Sequence, residues 1–201
     1  MDKRADKDHN QKHKYAVGYG FTDYWASEIY LIAKNTPDKG YSTEAVEWEN
    51  RFQLTEQGKN FADVGLYFAF EKASESKENH DAIEGKILLE KQIGKFVNRA
   101  NIGFERELRQ VVGEKAERGF EYELLWSTKY NWKKSFEPGF EYHGGFGNPV
   151  ADDLSYSVQS HQFGPAIYGK VGHFKYDLGL LFGVSKAAVD RQIKWNLEYE
   201  F

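Results

Sequence analysis

Chemistry would first be sought at the six histidines, His9, His13, His80, His143, His161 and His173. A hydrolase of the serine or cysteine type needs a nucleophile beside a base that a third group orients. The stretch "ADDLSYSVQSH" (151–161) gathers such residue types, with Ser155, Ser157 and Ser160 ahead of His161. A polar surface loop carries the same residues, so the expectation is no enzyme, with a hydrolase at this loop as the alternative. His9 and His13 lie four apart in "DKRADKDHNQKH", a spacing that suits a metal. In so polar a segment they read as part of a solvated tail, and neither a metal nor another cofactor is expected. "GYGF" and "GGFG" precede no helix and so make no phosphate cradle. With no cysteine in the chain, thiol nucleophiles, disulfides and cysteine metal sites are excluded.

A larger chemical resource is the set of charges spaced two apart. Glu47, Glu49 and Arg51 form one such series, Glu105 and Glu107 a second, Glu121 and Glu123 a third, and Glu141 with His143 a fourth. Together with Arg99 they are the candidate lining of a charged interior. A spacing of two puts side chains on one face of a β-strand. On that face acids outnumber bases about two to one. Unpaired charges are not tolerated in a dry interior, so such an excess favours water and the passage of cations or polar solutes. Arg51 and Arg99 are the expected local partners of the cluster formed by Glu47, Glu49, Glu105, Glu107, Glu121 and Glu123.

The elements that would position these charges are strands. "IKWNLEYEF" (193–201) places Ile193, Trp195, Leu197, Tyr199 and Phe201 opposite Lys194, Asn196, Glu198 and Glu200. The same alternation runs through "YAVGYGF", "VEWENRFQL", "VGLYFAFE", "FEYELLWSTKY" and "FKYDLGLLFGV", with less regular versions at 25–35, 81–94, 95–109, 135–147 and 161–172. About eleven strands result, many near the 9 to 11 residues that a tilted membrane strand needs. Short connections at 22–24, 56–60, 93–95, 132–135 and 171–174 alternate with longer polar ones at 35–42, 74–81, 111–119, 148–161 and 185–192. Outer-membrane barrels have short periplasmic turns and longer outer loops, which puts the C-terminus on the periplasmic side.

Composition sets the remaining bounds. A length of 201 residues fits one domain, read as a flexible polar segment (1–12) followed by one barrel (13–201). Aromatic residues make up 16%, yet the mean hydropathy is −0.72, which argues against a helical membrane bundle. A membrane barrel is compatible, because its lipid-facing and lumen-facing residues cancel in any average. A soluble sandwich or lipocalin-like barrel also alternates, but its small interior would have to enclose all the bulky aromatic side chains. A net charge of −4 gives no reason to expect nucleic acid. The opening "MDKRADKDHNQKHKY" lacks the apolar stretch of a signal peptide.

The ending "KWNLEYEF" resembles the C-terminal strand of bacterial outer-membrane β-barrels. "WENRFQLTEQGKNFADVGLYFAF", "FEPGFEYHGGFG" and "HQFGPAIYGKV" are similar to small outer-membrane barrels in the style of those of phenol-degradation pathways. The resemblance implies an all-β, antiparallel up-and-down transmembrane barrel in the outer membrane. It also implies that Trp195, Leu197, Tyr199 and Phe201 are the signal read by the barrel-assembly machinery. The partners are then outer-membrane lipid, that machinery and a small solute. The function expected is a passive channel for small cationic or polar solutes. The alternative is a closed structural or interaction barrel with a salt-bridged lumen and recognition by its outer loops. Eleven strands leave the first descending from the outer side, whereas bacterial single-chain barrels have even numbers. A complete barrel of twelve, lacking one N-terminal strand here, is therefore expected.

Overall fold

The structure, a computed structural model, describes residues 10–74, 80–108, 119–150 and 154–201. His9 and the rest of 1–9, the loop segments 75–79 and 109–118, and 151–153 of the serine-bearing loop lie outside the described residues. The alternating segments form eleven strands: β1 (Gln11–Thr22), β2 (Trp25–Thr36), β3 (Gly40–Gln53), β4 (Asp63–Ala73), β5 (Ala82–Ile93), β6 (Phe96–Glu107), β7 (Glu121–Tyr130), β8 (Glu137–Gly147), β9 (Ser160–Val171), β10 (Phe174–Gly183) and β11 (Arg191–Tyr199). Each pairs antiparallel with its neighbours in sequence, giving one up-and-down sheet curled into a half-barrel. The sheet is open, since β1 and β11 are its edges. The strand that was expected to start at 13 begins at Gln11, because Gln11 and Lys12 pair with Asn35 and Lys34.

The apolar phase of every strand points away from the concave side. Val17 is 80% exposed, Trp48 50% and Trp195 66%, whereas Glu47, Glu49 and Glu141 are each at most 5% exposed. A water-soluble barrel has the opposite polarity. The aromatics gather at the rim where β11 ends. There Phe21 stacks on Trp25 (4.5 Å), Trp25 on Phe52 (6.2 Å), Phe96 meets Tyr130 (5.1 Å) and Phe174 meets Tyr199 (5.0 Å). Trp132 with Phe136 and Tyr199 with Phe201 continue the series.

Connections at that rim span 23–24, 54–62, 94–95, 131–136 and 172–173; at the opposite rim they span 37–39, 74–81, 108–120, 148–159 and 184–190. Strict alternation of short and long therefore fails twice. The link 37–39 is short because hydrogen bonding continues past the apolar part of the two strands into the polar "NTPDKGYS", so β3 begins at Gly40 rather than near Val46. The link 54–62 is long because it folds on itself: Gly58 N donates to Asp63 Oδ1 (2.7 Å) and Val64 N to Thr55 Oγ1 (2.8 Å). The tight turns at 94–95 and 172–173 open on Gly94 (φ 61°) and Gly172 (φ 60°), a conformation that glycine adopts without a steric cost.

The register slips at three places, where Phe21, Glu44 and Phe146 are each an extra residue in their strand. A fourth irregularity is a corner in β9. Its ladder to β10 is interrupted at Gly164 and Pro165, between the pairs Phe163–Phe182 and Ala166–Gly179. Proline has no N–H to give, and a Cβ on Gly164 would run into the Leu180 carbonyl oxygen. Across this corner β8 and β10 approach each other directly. Pro138 lies where the β7–β8 ladder has ended, so its missing donor leaves no gap.

Candidate functional site

The register turns the charges spaced along each strand into rows across the sheet. One row of the concave face runs Glu28–Glu49–Ala69–Glu84–Glu105–Glu121 over β2 to β7. The next runs Ala26–Arg51–Tyr67–Lys86–Gly103–Glu123, and on the other side Glu47 and Glu71 stand opposite each other. A band of carboxylates thus lies against a band holding two cations. Like charges directly opposite one another destabilise a sheet, so this arrangement costs stability unless water or a solute screens it. Under these rows is a cavity of about 850 Å³, lined among others by Glu47, Glu49, Arg51, Tyr67, Lys86 and Glu105. A second, of about 680 Å³, lies toward the end of β11 and is lined by Lys129, Lys170, Lys175 and Asp177. Arg99 borders both.

Of the expected site residues, Glu47, Glu49, Arg51, Glu105 and Glu123 belong to this wall, with Glu121 at the far end of its row. Arg51 Nη2 meets Glu49 Oε2 at 2.8 Å and Glu28 Oε2 at 3.2 Å. Lys14 Nζ donates to Glu47 (2.8 Å). Lys86 lies between Glu84 (2.7 Å) and Glu123 (3.0 Å). Arg99 does not serve the acidic cluster as expected, because it stands directly opposite Glu90 and pairs with it at 2.6 Å. Glu107 lies near the opposite rim, 3.4 Å from His80. Glu105 stands between Glu84 and Glu121 with no ion-pair partner among the described residues.

Glu141 and His143 belong to a separate group on β8. Glu141 accepts from Tyr168 Oη (2.7 Å), Lys194 Nζ (2.8 Å) and the His143 ring (3.0 Å). Lys194 also reaches Asp177 (3.3 Å). Lys194 is on β11, so the pair spans β9 and β10, passing over Gly179, whose missing side chain leaves it room. Lys14, Tyr30, Tyr67 and Tyr168 were missed as site residues. Their phase carried the signal, since each lies an even number of places from an inward charge on its own strand or, for Lys14, from Ala16. Their aromatic or terminal character hid it.

At the opposite rim the hydrogen bonds of the serine-bearing loop among the described residues join other groups than a serine hydroxyl and a histidine ring. The His161 ring bonds Tyr142 Oη (2.8 Å) and Gln159 Oε1 (2.9 Å), and Ser155 Oγ bonds Ser157 Oγ (2.9 Å). His161 N donates to Ser185 Oγ (2.8 Å), a structural tie between the ends of β9 and β10. His13 stacks on Tyr41 (5.3 Å) on the outward face.

Just past β11, Glu200 accepts from Lys170 and then from Lys175, and these bonds hold its carboxyl down to about 2. A carboxyl lowered in the folded state contributes stability above its unfolded value, about 4.3, and loses it as the pH falls through about 2. The carboxyl-carbon NMR titration of Glu200 should therefore have its midpoint near 2. In Lys170→Gln it should move toward the ordinary glutamate value. An ordinary midpoint in the unaltered protein would show that these lysines do not hold the carboxylate.

The chain matches no protein-family model and no curated protein.

Proposed function

We propose that this chain forms the wall of an outer-membrane β-barrel, closed in its complete form by a twelfth strand, that passes small cationic or polar solutes. The observation that carries the reading is the inverted polarity of the sheet. Trp48, Val17 and Trp195 lie exposed on the convex side, while Glu47 and Glu49 are buried on the concave one. Lipid would cover such an apolar face, as only helices and closed barrels satisfy their backbone in a bilayer. The aromatic rim at the end of β11 suits the headgroup level. The row Glu28–Glu49–Glu84–Glu105–Glu121 supports a preference for cations, because rings of carboxylates concentrate them and repel anions. The terminal strand, with Trp195, Leu197, Tyr199 and Phe201 outward, supports recognition by the barrel-assembly machinery.

Planar-bilayer recordings test this reading. Discrete conductance steps and a reversal potential of cationic sign are expected across a salt gradient. The preference should weaken near 1 M salt, where the Debye length is about 3 Å. In the double variant Glu105→Gln, Glu121→Gln the reversal potential should move toward zero. Anion preference, or no change in the double variant, would make these carboxylates structural partners rather than a filter. A second reading, a closed structural barrel whose outer loops recognise a partner, draws on the buried glutamates Glu47, Glu49 and Glu141, each held at 2.8 Å by a partly exposed cation, Lys14, Arg51 and Lys194. Absence of conductance from folded, inserted protein would favour it.

A further inference from the structure

We propose that the gap between β1 and β11 is a docking site for one amphipathic strand whose inward side chains are acidic toward the rim where β1 begins. The inference rests on the closed-barrel part of the reading above and adds what the closing strand must be. It does not depend on whether the lumen conducts.

Direction and charge disfavour the simplest closure. With eleven strands in strict up-and-down order, β1 and β11 run the same way. Among the described residues each has one edge without a strand partner, and an exposed edge templates further pairing. If the two paired directly, the contact would be parallel, a slightly weaker ladder. It would also bring Lys12 and Lys14 of β1 toward Lys194 of β11, all on the concave phase near the rim where both strands begin. A second copy in the same orientation meets the same objection, because its β11 would again face β1 in parallel. A single strand running opposite to both removes it.

The side chains flanking the gap describe the occupant. Outward, Tyr15, Val17 and Tyr19 on one edge and Ile193, Trp195 and Leu197 on the other are exposed, so its outward positions are apolar. Inward, Lys12 has no ion-pair partner among the described residues, while Lys14 and Lys194 already hold Glu47 and Glu141. An acid in the last inward positions of the incoming strand would face Lys12. Toward the other rim, a Cβ placed on Gly20 would meet nothing within 4 Å, and Glu198, whose side chain is 52% exposed and held by Lys175 at the long distance of 3.7 Å, projects from β11. That end takes a large or basic inward side chain. The strand therefore reads, from its own N-terminus, basic or bulky first and acidic last, alternating with apolar residues over about 9 to 11 positions.

The test exploits the absence of cysteine from the chain. Single variants Ala16→Cys on β1 and Asn196→Cys on β11, folded in detergent micelles, would be mixed with synthetic eleven-residue peptides. The peptides carry this charge order and one cysteine at each inward position in turn. Disulfide formation with both variants is expected, at least tenfold above that with a peptide whose inward charge order is reversed. No preference over the reversed peptide would overturn the proposal. So would a disulfide within the double variant Ala16→Cys, Asn196→Cys, which means direct closure, or covalent dimers without peptide, which mean a second copy. The micelle experiment reads no current, so its failure leaves the channel reading standing, and a failure of conductance leaves the seam untouched.

Discussion

Glu141→Leu is expected to lower the stability of the folded protein by about 3 kcal/mol, the lower end of the range for breaking a buried ion pair. Glu141 is 2% exposed and collects three donors, from Tyr168, Lys194 and His143. Leucine fills the volume but leaves Lys194 with Asp177 alone, at 3.3 Å, and strips Tyr168 of its acceptor. The side chain of Lys194 is 34% exposed, so water recovers part of the loss, and the low end of the range is the appropriate one. Urea unfolding followed by tryptophan fluorescence in lipid vesicles measures it. Lys194→Met added to Glu141→Leu should cost less than the two changes summed, because the second change removes the orphaned cation. Simple additivity would mean that the pair does not tie β8 to β11.

Gly164→Ala should be comparably damaging, at about 3 kcal/mol, for a steric reason. The added methyl group would collide with the Leu180 carbonyl and crowd Leu181 Cα at 3.0 Å, and backbone cannot rotate away as a side chain can. Gly179→Ala is the control, since its Cβ would find Glu141 Oε2 at 3.5 Å, an ordinary contact. A loss below about 1 kcal/mol is expected there. Equal effects at the two positions would mean that the corner in β9 is not sterically set.

What was legible in the sequence follows from how local each feature is. The phase of Glu47, Glu49, Glu105, Glu107, Glu121 and Glu123 is a matter of alternation within one strand, and so is the outward set ending in Tyr199. Strand number was equally accessible, because each strand pairs only with its neighbours. Partner choice was not. Lys14 meets Glu47 and Lys194 meets Glu141 across 33 and 53 residues of chain, and the contact depends on accumulated register. That register is reset at Phe21, Glu44 and Phe146, extra residues that look like any other member of their strands. The pairing of Arg99 with Glu90 is of the other kind: nine residues apart across the tight turn at 94–95, in a ladder without a slip, it was open to the sequence and was misjudged. The open sheet was foreshadowed by strand parity, although a closed wall was expected of the fold.

The strictly sequential strand order has a consequence for how such a protein can change. No strand threads between two others, so a hairpin is a removable unit of construction. Duplicating β5 and β6, for example, would insert two strands and widen the wall while every other ladder kept its partner. Lengthening 108–120 or 148–159 would likewise leave the ladders intact, since loop closure costs grow only slowly with length. Diameter and surface recognition are thus separately adjustable in this architecture. Ion pairs that reach past a neighbouring strand limit this freedom: Lys14–Glu47 and Lys86–Glu123 each pass over one strand, and Glu141–Lys194 passes over two, so that β8 to β11 would have to be inherited as a block.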